Sequence, residues 1–108
     1  MIFHLALRLD WEAAQLNFRY PWSTRNVTVT DSGFVHCSFD HQWLEVRRRF
    51  YDDVSDEDLV LLVINEGKLT HPLIVEQLSG APEAFPHIYG ELEIEAVVEV
   101  RPVVDSQS

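Results

Sequence analysis

Five histidines (4, 36, 41, 71 and 87), one cysteine (Cys37) and a surplus of carboxylates give this 108-residue chain its chemical reach. Strand geometry sorts them. Side chains alternate between faces along an extended chain. In Phe34-Val35-His36-Cys37-Ser38-Phe39, His36 and Ser38 therefore point one way, and Val35, Cys37 and Phe39 the other. Cys37 belongs with the apolar set, as a small core hydrophobe and not a nucleophile, since a reactive thiolate needs an electropositive, part-exposed niche. In Phe85-Pro86-His87-Ile88-Tyr89-Gly90, His87 and Tyr89 share a face, and His4 stands opposite the bulky Phe3, Leu5, Leu7 row. If these faces meet, His4, His36, Ser38, His87 and Tyr89 form a polar pocket for a small ligand. The competing expectation is that each ring is a hydrogen-bonded structural histidine.

Other chemistries find less support. A metal set of His36, His41, His87 and Glu76 is conceivable, but HExxH and His-x-His spacings are absent, so no metal is expected. The four glycines (33, 67, 80, 90) fit no phosphate-cradling loop, and no GxSxG elbow exists. Net charge is −10, from 18 acidic and 8 basic residues. That field repels polyanions, so nucleic acid is not an expected partner. The cluster Arg47-Arg48-Arg49 reads as a solvated helix face. A lone cysteine excludes an internal disulfide. The longest apolar run, Leu59–Ile64, is six residues, against about 20 for a membrane span. The amino terminus lacks the basic start and small-residue cleavage site of a signal peptide. The expectation is a cytoplasmic protein.

The elements that must position these residues are short. Residues 2–7 read as a strand, Asp10 as the N-cap of a helix over Trp11–Leu16, and 20–32 as an irregular loop with a short strand near Val27 and Val29. Asp31-Ser32-Gly33 reads as a turn and Phe34–Phe39 as a strand. Asp40 would cap a helix over His41–Tyr51, with Trp43, Val46 and Phe50 as its apolar stripe. After the acidic connection 52–58, Leu59–Ile64 reads as a buried central strand. Asn65-Glu66-Gly67-Lys68 would then turn it into a hairpin with Leu73–Glu76. A last strand alternates Leu92, Ile94, Ala96, Val98, Val100 against Glu91, Glu93, Glu95, Val97, Glu99. The result is a single α+β domain over 1–104, about six strands and two short helices, with a polar tail at 105–108.

Gly33–Ser38, Phe85–Gly90 and the opening Ile2-Phe3-His4 resemble the uncharacterised family called domain of unknown function 952. Trp11 and Ala14 fit its first helix, Gln42 and Phe50 its second, Leu61–Ile64 its central strand and Leu73–Glu76 an extended segment ending in glutamate. Residues 18–32 are longer and more polar than usual there, and Glu91 replaces a frequent proline. The resemblance implies an ADP-ribosyltransferase-like architecture, a split mixed or antiparallel sheet gripping NAD. By position, His4 resembles the first-strand residue that binds the dinucleotide, and Ser38 or Tyr89 the ribose-supporting residue. Glu76 resembles the strand-end glutamate. The expected site is thus catalytic Glu76, His36 and His87 with ligand-binding His4, Ser38, Gln42 and Tyr89. Its ligand would be NAD, another nucleotide or a phosphorylated small molecule, with Arg8, Arg19 or Arg47 holding the pyrophosphate. The alternatives are an enzyme using His36 and His87 as general acid and base on a small metabolite, and a non-catalytic interaction module.

Overall fold

A computed structural model describes residues 1–105; Ser106–Ser108 of the expected tail lie outside them. The order is β1 (Ile2–Leu7), α1 (Arg8–Asn17), β2 (Trp22–Thr24), β3 (Val27–Thr28), α2 (Val29–Ser32), β4 (Val35–His36), α3 (Trp43–Phe50), β5 (Leu59–Ile64), β6 (Leu73–Glu76), β7 (Phe85–Ile88) and β8 (Val97–Pro102). Every pairing is antiparallel, in a three-stranded sheet β1-β5-β8, a hairpin β2-β3, and a second three-stranded sheet β4-β7-β6. The chain is α+β, with three α-helices and three sheets among the described residues.

β5 is central because all six of its residues are apolar and buried. Its two faces feed two cores. Leu59, Leu61 and Val63 pack with Phe3, Leu5 and Tyr51, while Val60, Leu62 and Ile64 pack with Ile2, Ala6 and Trp11. Cys37 joins the second core at 2% exposure, as strand alternation requires. Burial pushes its thiol pKa up, which leaves it inert.

The expected hairpin between Leu59–Ile64 and Leu73–Glu76 does not form. β5 pairs with β1 and β8, residues 66–68 make a single tight 3-10 turn, and β6 joins β7 in the other sheet. A strand covered on both faces takes long-range partners on both edges, which a turn signal cannot reveal. Four other expectations about local structure also shift. α1 starts at Arg8, directly from β1, with Asp10 in its first turn and no side-chain cap. Residues 20–32 form the β2-β3 hairpin and α2, whose N-cap Thr28 accepts the Asp31 N–H. α3 starts at Trp43, and Asp40 does not cap it. The last strand starts at Val97 after a 3-10 turn at 94–96, so Val98 and Val100 lie exposed while Leu92, Ile94 and Ala96 reach the core.

One segment joins the two large sheets. Val35 and His36 pair with Ile88 and His87 of β7, and two residues on Ser38 bridges Phe3 of β1. The sheet is split at this seam, and a cavity opens beside it.

Candidate functional site

The cavity has a volume of about 590 Å³. Its walls are the His36–Ser38 segment, the inner face of α3, Thr24-Arg25 at the β2-β3 turn, and the Leu78–Glu83 loop leading into β7. Pleating builds the polar wall. In the β4-β7-β6 register, His36 stands opposite His87, and Glu76 opposite Phe85, two residue pairs further along. Phe34, His36, Phe85, His87, Tyr89 and Glu76 thus share one face, while Val35 and Ile88 turn into the core.

The His87 ring is the hub. It stacks on Phe34 at 4.2 Å between centroids and meets His36 edge-on at 4.7 Å. Its Nδ1–H donates to Glu76 Oε2 at 2.8 Å, an oxygen that also accepts the Tyr89 hydroxyl. Nε2 of His87 is buried without a partner among the described residues. The two donors, Tyr89 first, hold the Glu76 carboxyl below the usual range, so it is ionised at neutral pH. Glu76 Oε1 receives no hydrogen bond among the described residues. Crowding and the neighbouring His87 lower the His36 pKa to about 4, so its ring is neutral.

His4 plays another part. Nδ1 donates to the His36 carbonyl at 2.6 Å, which leaves Nε2 to accept the Tyr20 hydroxyl at 2.8 Å. Burial lowers its pKa to about 4. The ring touches the cavity floor, but both nitrogens serve the fold. Gln42 is spent likewise. Its oxygen accepts Phe39 N–H at 2.9 Å, and its nitrogen donates to Glu83 Oε1 at 2.7 Å and the Ala84 carbonyl at 2.8 Å, strapping the 78–84 loop to α3. Ser38 lines the cavity, and its hydroxyl has no protein partner among the described residues. Tyr89 lies off the cavity and reaches it only through Glu76.

Six of the seven expected site residues line one hollow, therefore, and the seventh braces it. The expected arginines do not. Arg8 is bound to Glu12 and Asp58, Arg19 to Glu91. Arg47, expected on a solvated face, is buried. It donates to the carbonyls of Tyr51 and Val54 and pairs with Asp56 at 2.8 Å. Asp105, expected in a loose tail, pairs with Arg48 at 3.1 Å. The cations at the cavity are Arg25, held by Asp53 at 2.9 Å, and Arg49, which lies over Phe50. Strand alternation does not mark these as site residues, nor Glu45 and Glu83, and it reads Phe50 only as part of the helix's apolar stripe. A helical period counted from Gln42 runs through Glu45, Val46, Arg49 and Phe50, and would have found the α3 wall. Among the described residues, no group of three or more His, Cys, Asp or Glu side chains is placed to hold a metal ion. No helix among them is long and apolar enough to cross a membrane.

Residues 5–100 match the family described as Protein of unknown function (DUF952), and the chain belongs to it. Among solved structures it is similar to protein CC0527 from Caulobacter crescentus. The crystal structure shares 25% identity at a TM-score of 0.78, over 97% of this chain and 88% of that one. The solution structure shares 26% at 0.74, over 97% and 86%. No curated protein matches.

Proposed function

We propose that the cleft is a binding site for a small organic molecule, and that holding or transforming that molecule is what this protein does. The observation that carries this reading is the cavity of about 590 Å³ with an ionised carboxylate, Glu76, braced in its wall by His87 and Tyr89. A volume of roughly 300–1,000 Å³ suits a metabolite-sized ligand. The unspent polar groups (Ser38 hydroxyl, His36 ring, Glu76 Oε1) are what an incoming molecule would meet.

The ADP-ribosyltransferase-like reading, with NAD or another nucleotide as ligand, draws support from Glu76. A strand-end carboxylate held ionised on a cavity wall would steady the positive charge that develops as a glycosidic bond breaks. Against it, a pyrophosphate would find only Arg25 and Arg49 nearby, the first already paired. General acid–base chemistry is favoured by the fixed Nδ1–H of His87, which leaves Nε2 as its working nitrogen. That atom is buried, so a ligand must displace a covering side chain to reach it.

Calorimetric titration with NAD, beside a thermal-shift screen of nucleotides and small metabolites, tests these readings. Heat with NAD that is lost in His36→Ala supports the nucleotide reading. A metabolite that raises the Tm without NAD dependence supports the acid–base one. If no small molecule raises the Tm, the histidines are structural and the protein is an interaction module.

A further inference from the structure

We infer that the cleft selects an organic cation, an amine or quaternary ammonium on an apolar body, and this assignment rests on the cleft being a ligand site at all. Five acidic or basic side chains line the cavity beside its histidines: Glu45, Glu76 and Glu83 against Arg25 and Arg49. Arg25 is neutralised by Asp53 at 2.9 Å, from outside the cavity lining. Arg49 is exposed on the rim. His36, at a pKa of about 4, adds no charge at neutral pH. The lining thus carries three carboxylates, with Glu83 3.4 Å from the His41 ring, against two guanidinium groups, Arg25 paired with Asp53 and Arg49 lying over Phe50, inside a chain whose net charge is −10. A low-dielectric cleft focuses such a field and concentrates cations.

The acceptors are available as well as charged. Glu76 presents Oε1 with no donor, because His87 and Tyr89 both use Oε2. Glu83 uses Oε1 for Gln42, and Glu45 makes no hydrogen bond or ion pair among the described residues. Aromatic rings complete the chemistry. Phe85 stands opposite Glu76 across the β6–β7 ladder, and Phe50, 58% exposed and overlain on one side by Arg49, lies on the α3 wall. Ring faces beside carboxylates are the surroundings that hold an alkylammonium group. An anion would enter against this field with one arginine to receive it.

The test uses four probes with one ring and different heads: benzyltrimethylammonium, benzylamine, benzyl alcohol and benzoate. Binding is read from amide shifts of Ser38, Ser79 and Gly80 in the full chain. Expected are the two cations binding about tenfold tighter than the alcohol, with benzoate weakest. Glu76→Gln should weaken the cations about tenfold and leave the alcohol unchanged. Glu45→Gln, which removes no hydrogen bond and only weakens an attraction to Arg48 on the same helix, should weaken them by a smaller factor. Equal or tighter binding of benzoate overturns the cation assignment and leaves the binding site standing. So does cation affinity that neither variant changes. Silence of all four probes, together with silence in the metabolite screen, overturns both.

Discussion

Mild acid should destabilise this protein through His4, above the range in which Glu76 and Asp56 contribute. The ring is 2% exposed and bonded at both nitrogens, and its pKa is about 4 against 6.5 for a free histidine. The folded pKa is the lower of the two. Between pH 6.5 and 4 the unfolded chain therefore binds a proton that the folded chain refuses. The stability His4 confers is complete above pH 6.5 and is lost as pH falls toward 4. From pH 7.5 to 5.0 it amounts to about 2 kcal/mol, a large share of a typical roughly 5–15 kcal/mol. His36 acts in the same direction, with a share reduced by its exposure. Glu76 and Asp56, held below the usual carboxylate range, contribute only under about pH 4.5. Asp10, raised by partial burial, works in the opposite sense. His36 and Asp10 stay in place when His4 is replaced, so wild type minus variant isolates His4. Urea unfolding followed by tryptophan fluorescence, at four pH values from 7.5 to 5.0, measures it. His4→Leu should cost about 2–4 kcal/mol at pH 7.5, because it strands the buried Tyr20 hydroxyl and the His36 carbonyl. Adding Tyr20→Phe should restore part of that loss. Both variants should lose about 2 kcal/mol less than wild type on going to pH 5.0. A wild-type stability that is flat over this range would refute the reasoning, as would a double variant that keeps the full acid sensitivity.

Glu76→Gln should bring the Tyr89 phenol back down toward its ordinary pKa. The carboxylate bond is the first cause of its elevation, and alkaline absorbance titration reads the change. Arg47→Met should cost about 2–3 kcal/mol in urea unfolding, by leaving the Tyr51 and Val54 carbonyls without their donor. Arg48→Met, which removes a half-exposed guanidinium paired with Asp105, should lower the urea midpoint far less than Arg47→Met does. Cys37 should resist a disulfide reagent in the native state and react at a rate that tracks unfolding, since its thiol is buried and its pKa raised.

What could be read from sequence was what depends on nearest neighbours. Alternation placed His36 with Ser38 and His87 with Tyr89, and it buried Cys37 with Val35. The six-residue run 59–64 announced a strand covered on both faces. What could not be read was partner choice. Glu66-Gly67-Lys68 has the composition of a hairpin turn, yet β5 is claimed on both edges by β1 and β8, and β6 goes to β7. Nor does residue type reveal whether a polar group is already spent. His4 and Gln42 sit on the cavity as expected, but a carbonyl 32 residues away takes one nitrogen of His4, and a loop some 40 residues away takes the amide of Gln42. Arg47 and Arg49 are two positions apart on one helix. One is locked inside the fold and the other opens onto the cleft.

The spent groups explain why a cleft exists here. Cys37 N–H bonds Pro86 O at 3.1 Å, and one residue on, Ser38 exchanges bonds of 2.8 and 2.7 Å with Phe3. A short extended segment is thus stitched to β7 on one side and to β1 on the other, which joins the two sheets at one seam. His4 reinforces the seam by reaching from β1 to the His36 carbonyl, and Gln42 holds the opposite rim. A hollow framed by backbone bonds and by side chains with no polar capacity to spare keeps its shape when empty, which lowers the ordering cost of binding. That division of labour sets the direction for mutagenesis. His4 and Gln42 should change stability and loop motion, whereas Glu76, Ser38, His36 and Glu45 should change what the cleft holds.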